Sequence, residues 1–145
     1  GLPQAVRLFG IEKRSAAEVG IQQVDAVDLQ IEIGSGTESG AMNGAILENY
    51  VVSEIAKTYL NTGREPFLYY YRDKDAKEID IVLEQDGVLN PIEIKKTSNP
   101  GTELTKVFSL LDKASVPRGK GAIVCLKPKV GIIDRDNYIV PIWII

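Results

Sequence analysis

The chain contains no histidine, and this absence restricts the chemistry open to it. It excludes triads that use histidine, zinc sites ligated by histidine, and hydrolases whose general base is histidine. Any metal site must therefore be built from oxygen ligands. Such ligands favour Mg²⁺ or Mn²⁺ over zinc.

Cysteine and long apolar runs are also scarce. The single Cys125 lies in an apolar run at residues 122–126, which indicates a buried strand residue and no internal disulfide. No apolar run approaches the roughly 20 residues that span a bilayer, and no signal-peptide pattern opens the chain. We therefore expect a cytoplasmic protein without membrane contact. Its 145 residues, 44% of them hydrophobic, fit one domain with its own core.

Positive charge is missing from a long part of the chain, since no Lys or Arg occurs between Ser15 and Ala56. The net charge of −3 argues against a dedicated nucleic-acid binder. A polarised molecule could nevertheless present one basic side to phosphates, and charges far apart in sequence could equally scatter in space. Between residues 95 and 129, two acidic residues (Glu103, Asp112) face eight basic ones: Lys95, Lys96, Lys106, Lys113, Arg118, Lys120, Lys127 and Lys129.

The dipeptide Asp86-Gly87 separates two strand-like segments, residues 78–84 and 89–95. Asp-Gly between alternating segments predicts a β-hairpin with a two-residue turn. With that turn, Gln85 pairs with Val88, and the residue numbers of every cross-strand pair add up to 173. The turn therefore sets the register of the whole hairpin.

This register places Asp80 opposite Glu93, and Glu78 opposite Lys95. Two carboxylates directly across a strand pair lie roughly 5 Å apart and repel each other. A divalent cation between them would remove that repulsion. For Glu78 and Lys95, an ordinary cross-strand salt bridge is the structural alternative to a catalytic lysine.

Side chains alternate along a strand, so the hairpin has two distinct faces. The apolar face, expected to be core, holds Ile79, Ile81, Leu83, Ile92 and Ile94. The other face holds the four charged residues together with Val82 and Pro91. A half-exposed hairpin with a solvated charged face would show the same alternation, and the sequence leaves that alternative open.

The spacing of Asp80 and the Glu93-Ile-Lys95 triplet resembles the signature of the PD-(D/E)XK nuclease superfamily, in which a preceding helix often supplies a further Glu, here Glu48. A narrower resemblance covers roughly residues 40–145. It is to the C-terminal domain of unknown function of a family of prokaryotic AAA+-type ATPases. Four strings carry it: Leu47-Glu-Asn-Tyr-Val-Val-Ser-Glu54, Tyr69-Tyr-Tyr-Arg-Asp-Lys74, Lys77-Glu-Ile-Asp80 and Pro91-Ile-Glu-Ile-Lys-Lys96.

The superfamily resemblance implies a catalytic set of Glu48, Asp80, Glu93 and Lys95. Asp80, Glu93 and the backbone carbonyl of Ile94 would hold Mg²⁺ or Mn²⁺, with help from Glu48. Lys95 would orient the attacking water or neutralise the phosphate in the transition state.

The implied function is hydrolysis of nucleic acid, with DNA favoured over RNA, next to an upstream ATPase module of a longer protein. No Walker motif occurs in the chain, so this chain cannot be the ATPase itself. The alternative is a nuclease-like fold that no longer cuts and serves as a binding or assembly module for the ATPase.

A helix is expected from about Asn43 to Leu60. Glu48, Val52, Ile55 and Tyr59 recur at helical spacing and would share one face, with Glu48 as its polar member. A carboxylate on a core-facing stripe needs a partner or a metal. The alternative places Glu48 at the edge of the stripe, where the helix dipole favours it.

The remaining pattern predicts helix, three strands, helix and two strands. Together they form an α/β sandwich with a mixed central sheet and a restriction-endonuclease-like core. The second helix would open at Thr102, as its cap, after the turn at residues 99–101. A buried parallel strand follows at residues 121–126. The last strand covers residues 138–145, with Pro141 placing it at an edge, and a homodimer through that edge near Ile142 and Trp143 is left open.

Residues 1–40 are expected to be a poorly defined connecting segment, and residues 41–145 the nuclease-like domain. The stretch at residues 34–40 is rich in glycine and turn residues. Before it, five apolar residues could form a strand or lie loosely on the surface: Val24, Val27, Leu29, Ile31 and Ile33.

Overall fold

The computed structural model describes residues 21–23 and 41–145. One α-helix, α1, spans Ala41–Leu60, and a 3₁₀ helix spans Thr102–Lys113; we call the latter the crossover helix because it connects two strands. The strands are β1 (Ile21–Gln23), β2 (Phe67–Arg72), β3 (Glu78–Gln85), β4 (Val88–Ile94), β5 (Gly121–Cys125), β6 (Gly131–Asp134) and β7 (Asn137–Pro141), and a short 3₁₀ helix (Ile142–Ile144) follows.

The strands form one mixed sheet in the order β1-β2-β3-β4-β5-β7-β6. β4 and β5, and likewise β5 and β7, pair in parallel, and the other neighbours are antiparallel. Two apolar clusters lie within the domain: the crossover helix contributes Phe108 and Leu111 to one, and α1 contributes Val51 and Ala56 to the other. The predicted α/β class with a mixed sheet is therefore confirmed. Burial on both sides of β3 and β4 also rules out the alternative of a hairpin with one solvated face.

The hairpin register is confirmed in detail. All five backbone pairs of β3 with β4, from Ile81–Ile92 to Gln85–Val88, follow the predicted numbering. Asp86 and Gly87 have φ angles of 55° and 75°, the left-handed values that a two-residue turn requires at both positions. The turn chemistry of two residues therefore aligns β3 with β4.

The prediction that Ile79 lies on the same face of β3 as Ile81 is wrong. Ile79 packs in the same cluster as Val82, whereas Ile81 packs in the cluster with α1. The cause is a register shift between β2 and β3: Tyr69 pairs with Val82, but Tyr71 pairs with Ile79. β3 thus holds one residue more than β2 there, as in a β-bulge, which interrupts the alternation of side chains.

The stripe predicted for α1 is confirmed at Val52 and Ile55, which pack against the core, but its fully buried residue is Val51. Val51 is fully buried, Leu47 and Ile55 pack beside it, and Glu48 is exposed at the edge of the stripe. The alternative that placed Glu48 at the edge is therefore the correct one. The proposed dipole contact is wrong, because Glu48 follows the first turn of a helix that begins at Ala41.

The second predicted helix is present, but its expected cap is wrong. It is a 3₁₀ helix in which Thr102 is the first helical residue, and the cap position falls on Gly101, which makes no side-chain capping bond. The following strand, β5, is buried and pairs in parallel with β4, as expected from a helical crossover.

The prediction that the last strand lies at an edge of the sheet is also wrong. β7 ends at Pro141 and lies inside the sheet, because the short strand β6 pairs with its outer side. Pro141 is the last residue of β7, so its missing N–H ends the pairing without interrupting it. Ile142 is buried and Trp143 lies in the short 3₁₀ helix, so these residues do not offer a strand edge for a homodimer.

The possible strand at residues 24–33 lies outside the described residues. Within residues 21–23 and 41–145, no helix is long and apolar enough to cross a membrane.

Candidate functional site

Asp80 and Glu93 meet where β3 and β4 stop pairing. The last backbone pair towards this end of the hairpin is Ile81–Ile92. Beyond it, the N–H of Ile94 donates to Asp80 Oδ2 at 2.8 Å, and the N–H of Asp80 donates to Glu93 Oε1 at 3.3 Å. Side-chain carboxyls therefore replace backbone carbonyls as acceptors, which fixes the orientation of both acids.

The carboxyl pair is largely removed from water. Glu93 is only 6% exposed, and Asp80 is partly buried. Burial, together with the negative charge of Asp80, raises the pKa of Glu93 to about 8. Burial also raises the pKa of Asp80, although the N–H of Ile94 and the charge of Lys95 oppose that shift. At neutral pH the pair is accordingly expected to retain a proton on Glu93.

Lys95 lies at the mouth of this pair. Its Nζ is 3.9 Å from Glu93 Oε2, and its side chain is 47% exposed. The contact is at the outer limit for an ion pair, so the ammonium group is available to an anion from solvent. The structure thus brings Lys95 next to the pair, at the position expected of a residue that could bind a phosphate.

Glu48 approaches the pair from α1. It lines a cleft of about 200 Å³ together with Asp80, Glu78 and Arg72. Partial burial, and then the charge of Asp80, raises the pKa of Glu48. Glu48 is therefore on the same side of the sheet as Asp80 and within electrostatic range of it.

Glu78 is not where the simple register placed it. It pairs with Arg72 of β2, whose Nε and Nη2 both lie 2.8 Å from Glu78 Oε1. The alternative of a Glu78–Lys95 salt bridge is wrong, because among the ion pairs of the described residues Glu78 pairs with Arg72 and Lys95 contacts Glu93. The bulge explains the difference, since it alters the course of β3 between Ile79 and Val82.

Among residues 21–23 and 41–145, no three His, Cys, Asp or Glu side chains converge closely enough to enclose a metal ion. The four predicted catalytic residues therefore lie in one region, but they do not form a closed cage. The backbone N–H of Asp80 donates to Glu93 Oε1, and Glu48 lines a cleft together with Asp80.

Arg72 is a cleft residue that sequence analysis did not identify as part of the site. Counting the register from β2 to β3 would have found it, but the bulge makes that count uncertain by one residue. Asp73 instead organises the turn: its Oδ1 accepts the N–H groups of Asp75 and Lys77, and its Oδ2 accepts the Tyr71 hydroxyl.

The basic region at residues 95–129 is partly neutralised. Arg118 pairs with Asp112 at 2.9 Å, and Lys120 pairs with Asp136 at 3.0 Å. A continuous basic face for phosphates stays a prediction.

Residues 43–145 match the family model described as "Domain of unknown function (DUF4143)". The chain belongs to this family. The match begins close to the start of α1 and includes every element from β2 onwards. It confirms the resemblance to a domain of unknown function, and it says nothing about nuclease chemistry or an ATPase. No curated protein matches the chain in sequence.

Proposed function

We propose that this DUF4143 domain is a nuclease that depends on Mg²⁺ or Mn²⁺ and belongs to the PD-(D/E)XK superfamily. The observation that carries the proposal is the buried Asp80–Glu93 pair with Lys95 at its mouth. Two adjacent buried carboxyls with raised pKa values are unfavourable for folding, and such groups concentrate at functional sites.

The donor set fits a magnesium ion. Mg²⁺ keeps several waters and is often held by one or two carboxylates plus substrate phosphates, so a closed cage of three acids is not required. Asp80, Glu93 and the backbone carbonyl of Ile94 would hold the ion, with help from Glu48, which lines the same cleft as Asp80. When bound, the ion polarises the scissile phosphate and stabilises the charge that develops on it.

The roles of the protein groups follow from their contacts. Asp80 and Glu93 each use one oxygen on a backbone N–H, which orients the second oxygen of each for a ligand. Lys95, exposed and only loosely paired, neutralises charge on the transferred phosphate. Glu48, which lines the same cleft as Asp80, adds negative charge there and would hold water next to the cation.

The substrate we propose is nucleic acid, with DNA favoured over RNA. The setting we propose is a longer protein in which an AAA+-type ATPase module precedes this domain. The exposed lysines that follow the site, Lys95 and Lys96, support a polyanionic substrate.

The test is calorimetric titration with Mg²⁺ and Mn²⁺, combined with cleavage of plasmid and single-stranded DNA. The Asp80→Asn variant keeps an acceptor for the Ile94 N–H and removes the charge, so it should fold and lose metal binding. Lys95→Gln should bind metal like the wild type but cut at least about 100-fold more slowly. Glu54→Gln, which removes a half-buried acid that pairs with Lys57 elsewhere on α1, is the matched control and should behave like the wild type.

The alternative is a nuclease-like fold that no longer cuts and acts as a binding or assembly module for the ATPase. The observation that favours it is the open arrangement of the acids, in which no three converge among the described residues. Metal binding without cutting would leave this alternative in place. Absence of saturable binding at millimolar metal would overturn the catalytic proposal.

A further inference from the structure

The cleft beside the carboxyl pair has an unusual charge for a site that takes an anion. Its walls carry the carboxylates of Glu48, Glu78 and Asp80, and the buried Tyr71 and Ile79 form part of its lining. Arg72 is the one basic side chain among the cleft residues. A bound cation would offset Asp80, yet Glu48 and Glu78 would still repel a phosphate. An incoming nucleic acid therefore needs a cationic contact inside the cleft.

The contact between Arg72 and Glu78 leaves the guanidinium group of Arg72 able to bind a phosphate. Its Nε and Nη2 both approach a single oxygen, Glu78 Oε1, at 2.8 Å. A guanidinium fork binds best when two separate oxygens each accept one N–H, as a phosphate offers. The two side chains are 63% and 50% exposed, so water screens the pair and it contributes little to stability. Glu78 can therefore be exchanged for a better-matched anion.

The position of Arg72 supports the same role. It pairs with Glu78 across β2 and β3, two residues from Asp80 along the latter strand. It lines the same cleft as Asp80 and as Glu48 of α1. A nucleic acid whose scissile phosphate lies at Asp80 would bring a neighbouring phosphate near this guanidinium.

We propose that Arg72 binds a backbone phosphate of the nucleic-acid substrate, and that Glu78 competes with this phosphate for the guanidinium in the free protein. The proposal rests on the proposed function, because it takes nucleic acid as the ligand. It adds a substrate-binding residue outside the set of Glu48, Asp80, Glu93 and Lys95. It also makes Glu78 a built-in competitor that limits binding of weak anions.

The test is binding of a short fluorescein-labelled single-stranded DNA and of its duplex, measured by fluorescence anisotropy in Ca²⁺ and in EDTA. Arg72→Ala should weaken binding about tenfold, because a charge-assisted bidentate contact is lost. Arg72→Lys should recover only part of the loss, since it keeps the charge without the fork. Glu78→Gln should tighten binding about threefold by removing the competitor.

A change in the overall charge of the protein would also weaken DNA binding in Arg72→Ala and tighten it in Glu78→Gln. Control variants that change the charge elsewhere are therefore essential. Glu54 and Lys57 form an exposed ion pair on α1 at 2.9 Å, away from the cleft residues. Lys57→Ala changes the net charge by the same amount as Arg72→Ala, and Glu54→Gln by the same amount as Glu78→Gln. Both control variants should alter DNA binding less than twofold. If they match the cleft variants, a specific role for Arg72 is overturned.

The double variant Arg72→Ala/Glu78→Gln gives the decisive comparison. Competition predicts that Glu78→Gln tightens binding clearly less once Arg72 is gone, whereas repulsion alone predicts the same threefold gain in both backgrounds. If wild-type protein binds DNA and the two effects add, this proposal fails while the proposed function stands. If wild-type protein binds neither DNA, both fail together.

Discussion

The carboxylate of Asp80 crosses from β3 to β4 and accepts the backbone N–H of Ile94 at 2.8 Å. A side chain thus takes the place of a strand carbonyl at the point where the two strands separate. The contact orients Asp80 towards Glu93 and makes both acids part of the sheet rather than of a loop. A site built in this way is rigid before any ligand arrives.

Metal affinity should rise with pH. The pKa of Glu93 is raised to about 8, so below that pH a cation must displace a proton. We expect the dissociation constant for Mg²⁺ to fall by up to about tenfold per pH unit between pH 6 and 8, and then to level off. Calorimetry in buffers of different ionisation enthalpy would show the released proton. Glu93→Gln should bind more weakly, and its affinity should be independent of pH over this range.

The stability of the metal-free protein should show the opposite dependence. Glu93 has an ordinary pKa of 4.5 and a folded-state pKa of about 8, so the folded state binds the extra proton between these values. The contribution of Glu93 to stability is therefore fully present below pH 4.5 and is lost as pH rises towards 8. The measurement is the free energy of unfolding by urea, in EDTA and at a series of pH values, for the wild type and for Glu93→Gln. The variant should gain stability relative to wild type as pH rises, and a constant difference would contradict the assigned pKa.

The hairpin turn should depend on glycine at position 87. Gly87 has a φ of 75° and open space where a Cβ would lie, so the cost of Gly87→Ala is conformational. We expect the free energy of unfolding to fall by about 1 kcal/mol. Gly44 is the control: it lies in α1, also with open space, and Gly44→Ala should stabilise the protein by about 0.5 to 1 kcal/mol. Equal effects at the two positions would contradict the left-handed turn.

Gly121 should be sensitive for a different reason. A Cβ there would overlap Asn137 Oδ1 and the ring of Phe108. Asn137 cannot move away easily, because its Nδ2 donates to both oxygens of Asp134 at 3.0 Å. Gly121→Ala should therefore destabilise the protein by about 1 to 3 kcal/mol in thermal or urea unfolding. At Gly131 a Cβ would meet Ile139 at an ordinary 3.5 Å, so Gly131→Ala should have a clearly smaller effect.

The sequence predicts the fold well where local chemistry determines it. Asp86-Gly87 permits one tight turn, and that turn fixes five backbone pairs and brings Asp80 next to Glu93. The bulge opposite Tyr70 has no such marker, so the face of Ile79 and the partner of Glu78 were assigned wrongly. β6 has only four residues, too few for a periodic pattern, and without it β7 appeared to be an edge. Sequence spacing also could not reveal how far Glu48 lies from the pair, because that distance depends on how α1 packs on the sheet.

The position of the site on the hairpin also has a consequence for folding. Asp80 and Glu93 are 13 residues apart in a hairpin with a two-residue turn, whereas β4 and β5 are separated in the chain by the crossover helix. Hairpins close in microseconds, and pairing between distant segments is slower. The two acids are thus expected to become neighbours while they are still hydrated, and to be dehydrated only when β5 docks. The late docking step, rather than hairpin closure, would then be the step of folding that is slowed at high pH.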